Sequence, residues 1–532
     1  YAASVPLTLM RLGLRANDKA YAACVHGRPV FNEDVMYRVT DAMGISRETV
    51  QEAAGGTAGV SGKGASTRLS VFKMLLRPIL GWRCLRYILD APQAAQAFMA
   101  RSRERVRALT GKRLDDTSDE ELLAICHEQA RVHGGDFTFH AMQMLAALNI
   151  AHMYFVHQLR RCPQPMELAT RILAGGETGV SSQQVEELTA IAISLHGIPE
   201  VCDWLRGERE ELRTREAWQR VLPPPAWEAV TAWIERYGHR GPYETDPASV
   251  RFAEDLTLLA DALGPMVLAE SAPLSPATQR TKRDHLAQSA WETVEAHVSR
   301  RQLKRARIWA PRVKALMQLR ERLRSEGVAA IAGQRLAGLG LAWRLVKRGQ
   351  LDDPREFWDL TIEQQREAVL DEKIDVRALV ARENARRRAW MRMSVPNRFT
   401  SEEAAHLGTA ASAAAGQGSG NMLLGTAVSA GAAQGAARIV LTPTDGASLR
   451  HGEILIAPAT DPAWTPIFMR AGAVVTELGG LLSHASIVAR ELGIPCVSNV
   501  EGATTRLRDG EPILVDGTRG TVERLEIGRA HV

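Results

Sequence analysis

Aromatic residues make up only 5% of the 532 residues. That is too few for the aromatic-rich strands of an all-β protein, whereas Ala, Leu, Arg and Glu abound and favour helix. The six cysteines, Cys24, Cys84, Cys126, Cys162, Cys202 and Cys496, form no CxxC pair and no other metal-ligand spacing. They suit the reduced, mostly buried thiols of a cytoplasmic protein, and no metal site is expected in this chain. A basic tract is missing as well. The net charge of +5 comes from scattered arginines, and without basic patches interleaved by aromatics no nucleic-acid partner is expected. The longest apolar stretch, 137–159, is interrupted by His140, Gln143, Asn149, His152 and His157. It reads as a buried helix and not as a membrane span. His152 and His157 miss the i, i+4 spacing of a helical metal pair and read as structural. The run Gly59-Val60-Ser61-Gly62-Lys63-Gly64 lacks the spacing of a P-loop and the Ser or Thr after its Lys, so nothing in the chain supplies an ATP site.

What is present falls into two unequal parts. Residues 1–398 carry helical periodicity, clearest over 119–133, 184–195, 248–263 and 355–380, with breakers at Gly175-Gly176 and Pro223-Pro224-Pro225. Residues 399–421 are rich in Ala, Gly and Ser and read as a flexible linker. From 422 to 525, short β-type runs (437–441, 454–457, 473–476, 513–515, 521–525) alternate with turns and two helices. The fold class expected is therefore multidomain, a large mostly α-helical domain followed by a small α/β domain. The last residues, 526–532, are what one reading frame of a common sequencing-library adapter encodes. They are expected to be an artefact, and His531 is set aside.

The segment Thr476-Glu477-Leu478-Gly479-Gly480-Leu481-Leu482-Ser483-His484 holds the most informative pattern. Ser483 is a good N-cap, Ile487, Val488 and Leu492 recur at helical spacing, and Gly493 followed by Pro495 marks the stop. His484 then lies in the first helical turn, where unpaired backbone N–H groups favour an anion. Gly479 and Gly480 let a phosphate approach the main chain. A neutral imidazole attacks phosphorus at physiological pH, and the N–P bond it forms is labile enough to pass the group on. The pattern reads as a phosphohistidine site. Thr476 and Glu477 are placed to orient the loop or the imidazole. Arg490, six positions beyond His484, does not share its helical face closely, and a structural role there is as reasonable as a phosphate contact.

The other dense polar set is His239, Arg240 and Glu244. Two readings carry equal weight: a general base or phosphate clamp, with His239 preferred as the base, and a salt-bridge network that ends a helix.

Residues 460–497, with Thr460-Asp461-Pro462-Ala463-Trp464-Thr465-Pro466-Ile467-Phe468 leading into the glycine–serine–histidine run, resemble the mobile swivelling domain of the phosphoenolpyruvate-utilising enzymes. That family includes phosphoenolpyruvate synthase, pyruvate phosphate dikinase and rifampicin phosphotransferase. Residues 425–435 resemble the entry of that domain, and 507–520 resemble its exit. The resemblance implies that His484 carries a phosphoryl group between two separated sites; Ser486 departs from the smaller Ala or Gly usual there. Residues 6–8, 238–246 and 348–354 look like stretches of the central domain of rifampicin phosphotransferase. This looser likeness implies that the helical domain binds the phosphate acceptor.

It also implies ATP and Mg²⁺, held mainly by an ATP-grasp domain upstream or on a separate chain. The preferred acceptor is a small molecule, a hydroxyl of a bulky apolar, rifamycin-like antibiotic; Met142, Met144, Met153 and Phe155 read either as its lining or, as a methionine stripe more often is, as plain core. The alternatives are a dikinase or synthase acting on pyruvate or another small acid, and a phosphocarrier that relays phosphate to a protein partner. A small anionic acceptor calls for clustered arginines, at which only His239-Arg240 with Arg251 hint.

Overall fold

A computed structural model describes residues 22–25, 28–32, 86, 89–110, 116–176, 179–391, 398–399, 421–460, 464–479 and 483–525. Residues 400–420, within the stretch that the sequence marks as a linker, Gly480 and the terminal 526–532 lie outside them. Two early strands, β1 (Ala22–Val25) and β2 (Arg28–Asn32), pair antiparallel. The helical region follows as α1 (Ala91–Thr110), α2 (Asp119–Arg131), α3 (Thr138–Gln158), α4 (Pro165–Ala174), α5 (Val180–Leu195), α6 (Pro199–Arg206) and α7 (Arg215–Val221). It continues with α8 (Pro224–Tyr237), α9 (Thr257–Val267), α10 (Pro276–His297), α11 (Arg300–Lys347), α12 (Ile362–Leu370) and α13 (Val376–Met391). A short strand β3 (Arg398–Phe399) pairs parallel with β2. This small sheet inside an otherwise helical stretch is not foreseen by the periodicity.

Helix α11 organises the domain. Its 48 residues begin at a capping box in which Ser299 and Gln302 satisfy each other's backbone N–H, and at 1.5 Å per residue it runs for about 70 Å. Helices α1, α2 and α3 pack along it. Gly327 lets it approach closely: a Cβ there would meet the Phe137 ring at 2.5 Å. Separate apolar cores form, one around Trp218, Trp233 and Leu263, one around Phe155 at the first turns of α11 and one around Phe357 at its last turns.

Local hydrogen bonds correct two expected helices. Within 248–263 the helix starts only at Thr257, because the Phe252 and Ala253 amides donate back to the Arg240 and Gly238 carbonyls at 2.9 and 3.0 Å. Within 355–380 the run breaks into a 3₁₀ turn, α12 and α13, since Thr361 and Asp375 each cap a new start. Helix α3 is one-sided, not wholly buried: Met144, Leu148 and Phe155 are fully enclosed while Ile150, Met153 and Tyr154 are exposed. No described helix is long and apolar enough to cross a membrane.

The second unit is a mixed sheet of β4 (Met422–Leu424), β5 (Thr426–Ser429), β6 (Ala432–Ile439), β7 (Ile454–Ala457), β8 (Ala473–Thr476), β9 (Cys496–Ser498), β10 (Pro512–Asp516) and β11 (Thr521–Arg524). Their order is β4-β11-β10-β6-β7-β8-β9-β5, with β6 to β9 parallel. Parallel neighbours need crossovers, supplied by α14 (Thr465–Phe468) between β7 and β8 and α15 (His484–Leu492) between β8 and β9; α16 (Ala503–Arg506) follows β9. β7, β8 and β9 are buried along their whole length, as covering on both faces requires.

Candidate functional site

The segment singled out in the sequence sits at the carboxyl end of β8, where open parallel sheets hold ligands. Thr476, wholly buried, is bonded through its hydroxyl to Ser498 at 3.0 Å. The Glu477 and Leu478 amides donate to the Ala457 and Pro458 carbonyls of the next strand, at 3.1 and 2.9 Å. Glu477 turns its carboxylate to the start of α16, accepting from the Thr504 amide and hydroxyl at 2.7 and 2.5 Å. Thr476 and Glu477 therefore fix the loop. Gly479 is fitted between hydroxyls, since a Cβ on it would lie 3.0 Å from Ser498 Oγ and 3.1 Å from Ser483 Oγ.

Ser483 caps α15 as expected, with extended backbone and an Oγ that accepts from the Ser486 amide. Ser486, the departure from the family pattern, is enclosed and hydroxyl-bonded to Ser483 at 2.8 Å. His484 is the first residue of the helix, and Gly493, at φ 70°, ends it. Ala485, Val488 and Ala489 bury one face of the helix in the core. Arg490 donates through Nε to the Val428 carbonyl at 2.7 Å, pinning α15 to β5. Its structural role is thus directly visible.

Helix α15 also packs against α4 and α5 of the helical domain, while α14 and the turn Pro443–Ser448 pack on α9. Val488 and Leu492 share a small cleft with Val185 and Thr189 of α5 and Arg283 of α10. The Tyr243 hydroxyl donates to the Leu441 carbonyl at 3.4 Å. His152 of α3, buried as its structural reading implies, has its pKa pushed down to about 4, first by burial and then by Arg490 across this seam. The histidine domain is seated on the helical domain.

The polar set at 239–244 is an enclosed network. Arg240 and Glu244 are both 1% exposed. Arg240 reaches Glu244 through Nε at 3.0 Å and Nη2 at 3.3 Å, and Gln184 of α5 through Nη1 at 2.9 Å. Arg324 of α11 adds a bond to Glu244 at 3.2 Å. Burial raises the Glu244 pKa, but Arg240 and Arg324 outweigh it and hold the carboxyl below its ordinary range. His239 Nε2 lies 3.5 Å from the Ser325 hydroxyl. Burial, then Arg240 and Arg251, bring its pKa to about 4. Its imidazole is neutral at pH 7, free to accept a proton but a weaker base than an ordinary histidine. Arg240 and Glu244 match the salt-bridge reading.

The suggested lining of α3 does not form one wall. Met144 belongs to the core with Phe98 and Leu323, Phe155 to that with Leu148 and Val313, and Met153 is 44% exposed. Sequence reasoning missed Gln184, Arg324, Ser498 and Thr504. Only folding brings them to these positions. Among the described residues no group of His, Cys, Asp or Glu is placed to hold a metal ion.

Residues 449–520 match the mobile domain of the phosphoenolpyruvate-utilising enzymes, and residues 140–321 match the fourth domain of rifampicin phosphotransferase. The resemblance thus holds on both parts of the molecule. The chain is 28% identical over 354 residues to rifampicin phosphotransferase of Streptomyces sviceus, covering 65% of this chain and 40% of that protein. It is 32% identical over 357 residues to an uncharacterised protein of Mycobacterium tuberculosis, covering 66% and 37%. It is 28% identical over 366 residues to rifampicin phosphotransferase of Bacillus subtilis, covering 65% and 40%. The chain therefore spans about two fifths of the length of these relatives.

Proposed function

We propose that this chain is the carrier and acceptor-binding part of an ATP-dependent phosphotransferase, and that His484 is its phosphohistidine. One observation carries the reading: His484 opens a Ser-capped helix at the carboxyl end of β8, inside the segment matched to the mobile domain. The first amides of that helix and the glycine loop favour a phosphoryl group beside the imidazole. In the first transfer an imidazole nitrogen forms a bond to phosphorus as the bond to the departing phosphate oxygen breaks. In the second, the acceptor oxygen attacks phosphorus, the N–P bond breaks, and the hydroxyl proton goes to a base. ATP and Mg²⁺ would be brought by an ATP-grasp domain, upstream or on a separate chain. The relatives named for rifampicin favour a rifamycin hydroxyl as acceptor. A small acid is the second reading, favoured by the arginines around 240–251. Unpaired Cys126, Cys162, Cys202 and Cys496 suit a cytoplasmic setting.

The test supplies an ATP-grasp domain, ATP and Mg²⁺, with labelled phosphate followed on this chain. The expected product is acid-labile, base-stable phosphate that is absent from His484→Ala. Acid-stable label, or equal labelling of the variant, overturns the carrier role. Turnover with pyruvate alone would reject the rifamycin acceptor.

A further inference from the structure

The excursion between α8 and α9, residues 238–256, gathers arginines against α11. Most are fully engaged by the protein itself. Arg335 grips both Glu254 oxygens at 2.8 to 2.9 Å and donates to the Pro247 and Ala248 carbonyls, each at 2.9 Å. Arg240 spends all three nitrogens on Glu244 and Gln184.

Arg251 is different. Only 2% of it is exposed, and a single nitrogen, Nη2, finds an acceptor, the Asp246 carbonyl at 2.9 Å. Its Nε and Nη1 are enclosed with no hydrogen-bond partner. No carboxylate lies within ion-pairing distance among the described residues, although Glu254, Glu244 and Asp246 are near enough to act on its charge, as is Arg335 with the opposite sign. Guanidinium donors taken out of water and left unmatched oppose folding. Such a group persists most readily where an outside acceptor completes it, and the planar guanidinium matches oxyanions in geometry and charge.

We propose that Arg251 anchors an oxyanion-binding site in the helical domain, taking the phosphate or carboxylate group of a small ligand. The excursion that carries it also carries Tyr243, which touches the histidine domain, so the site belongs to the part of the helical domain that meets the carrier. The proposal does not rest on phosphoryl transfer, because its test reads binding alone.

The test titrates the chain, in a phosphate-free and carboxylate-free buffer, with inorganic phosphate and separately with pyruvate, by calorimetry and by thermal unfolding. Saturable binding of either anion is expected, with a rise in unfolding midpoint. In Arg251→Gln the affinity should fall by about tenfold or more, the cost of a charge-assisted bond. The same variant in the anion-free buffer should unfold close to the parent, since removing two unmatched buried donors offsets the loss of one carbonyl bond and of the longer-range attraction to Glu254, Glu244 and Asp246. Absence of saturable binding by the unsubstituted chain overturns the proposal whatever the variant does. So does an Arg251→Gln protein that titrates like its parent.

Discussion

In the histidine domain, the Ser483 hydroxyl is met by Ser486, three positions away. In the helical domain, Arg240 is met by Gln184, 56 residues earlier, and Glu244 by Arg324, 80 residues later. The first arrangement is a local motif that a loop and a helix start carry with them. The second exists only once α5, α8 and α11 are packed. The difference concerns what a substitution disturbs: a cap is lost locally, whereas a buried ion pair leaves charge stranded between helices.

The largest effect that sharpens this contrast is expected from Glu244→Gln. It keeps the shape but leaves Arg240 and Arg324 without their carboxylate, at a cost of about 3 to 5 kcal/mol. Urea unfolding followed by circular dichroism measures it, and a loss below about 1 kcal/mol would place the pair with exposed ones.

The next effect is a pH dependence confined to the helical side. Burial, Arg240 and Arg251 hold the His239 pKa near 4 against an ordinary 6.5, so the unfolded chain takes up the proton first as pH falls. Stability from this source is complete above about pH 6.5 and declines toward pH 4. His152, also brought to about 4, adds in the same direction. A His239→Gln variant should show a flatter stability profile between pH 7 and 4.5, and an unchanged slope would contradict the assignment.

The smallest is Ser483→Ala, which removes the N-cap of α15 and should cost about 1 kcal/mol. Ser483→Asn should recover most of it, because Asn caps equally well. If Ser483→Ala cost as much as Glu244→Gln, the division between local and assembled polar groups would fail.

The same division governs how much could be read from the chain alone. Strands β7 and β8, the Ser483 cap, the start of α15 at His484 and its stop at Gly493 follow from neighbours within a few residues, and all appear where the sequence puts them. The unity of 248–263 as one helix did not survive, because the Phe252 and Ala253 amides are claimed by Arg240 and Gly238. The partners of Arg240 and Glu244 were illegible for a related reason: nothing near Gln184 or Arg324 in the chain marks either as a polar contact. Met144 of α3 fits the plain-core reading, but apolar periodicity reports burial without saying which core receives each side chain. Residues 400–420, expected to be a linker, lie outside the described structure.

The modest seam where α15 meets α4 and α5 has a consequence in mass-action terms. Two parts of one polypeptide do not meet by diffusion from bulk; each sees the other at an effective concentration set by the chain that joins them. A contact whose intrinsic dissociation constant lies near that value is closed about half the time and open the rest. The join includes Val488, Leu492, the Tyr243 bond to Leu441, and the packing of α14 and the turn Pro443–Ser448 on α9. A much tighter join would trap one arrangement and a weaker one would scarcely form it, so if His484 is the carrier proposed above, the strength of this contact decides whether both of its sites can be reached.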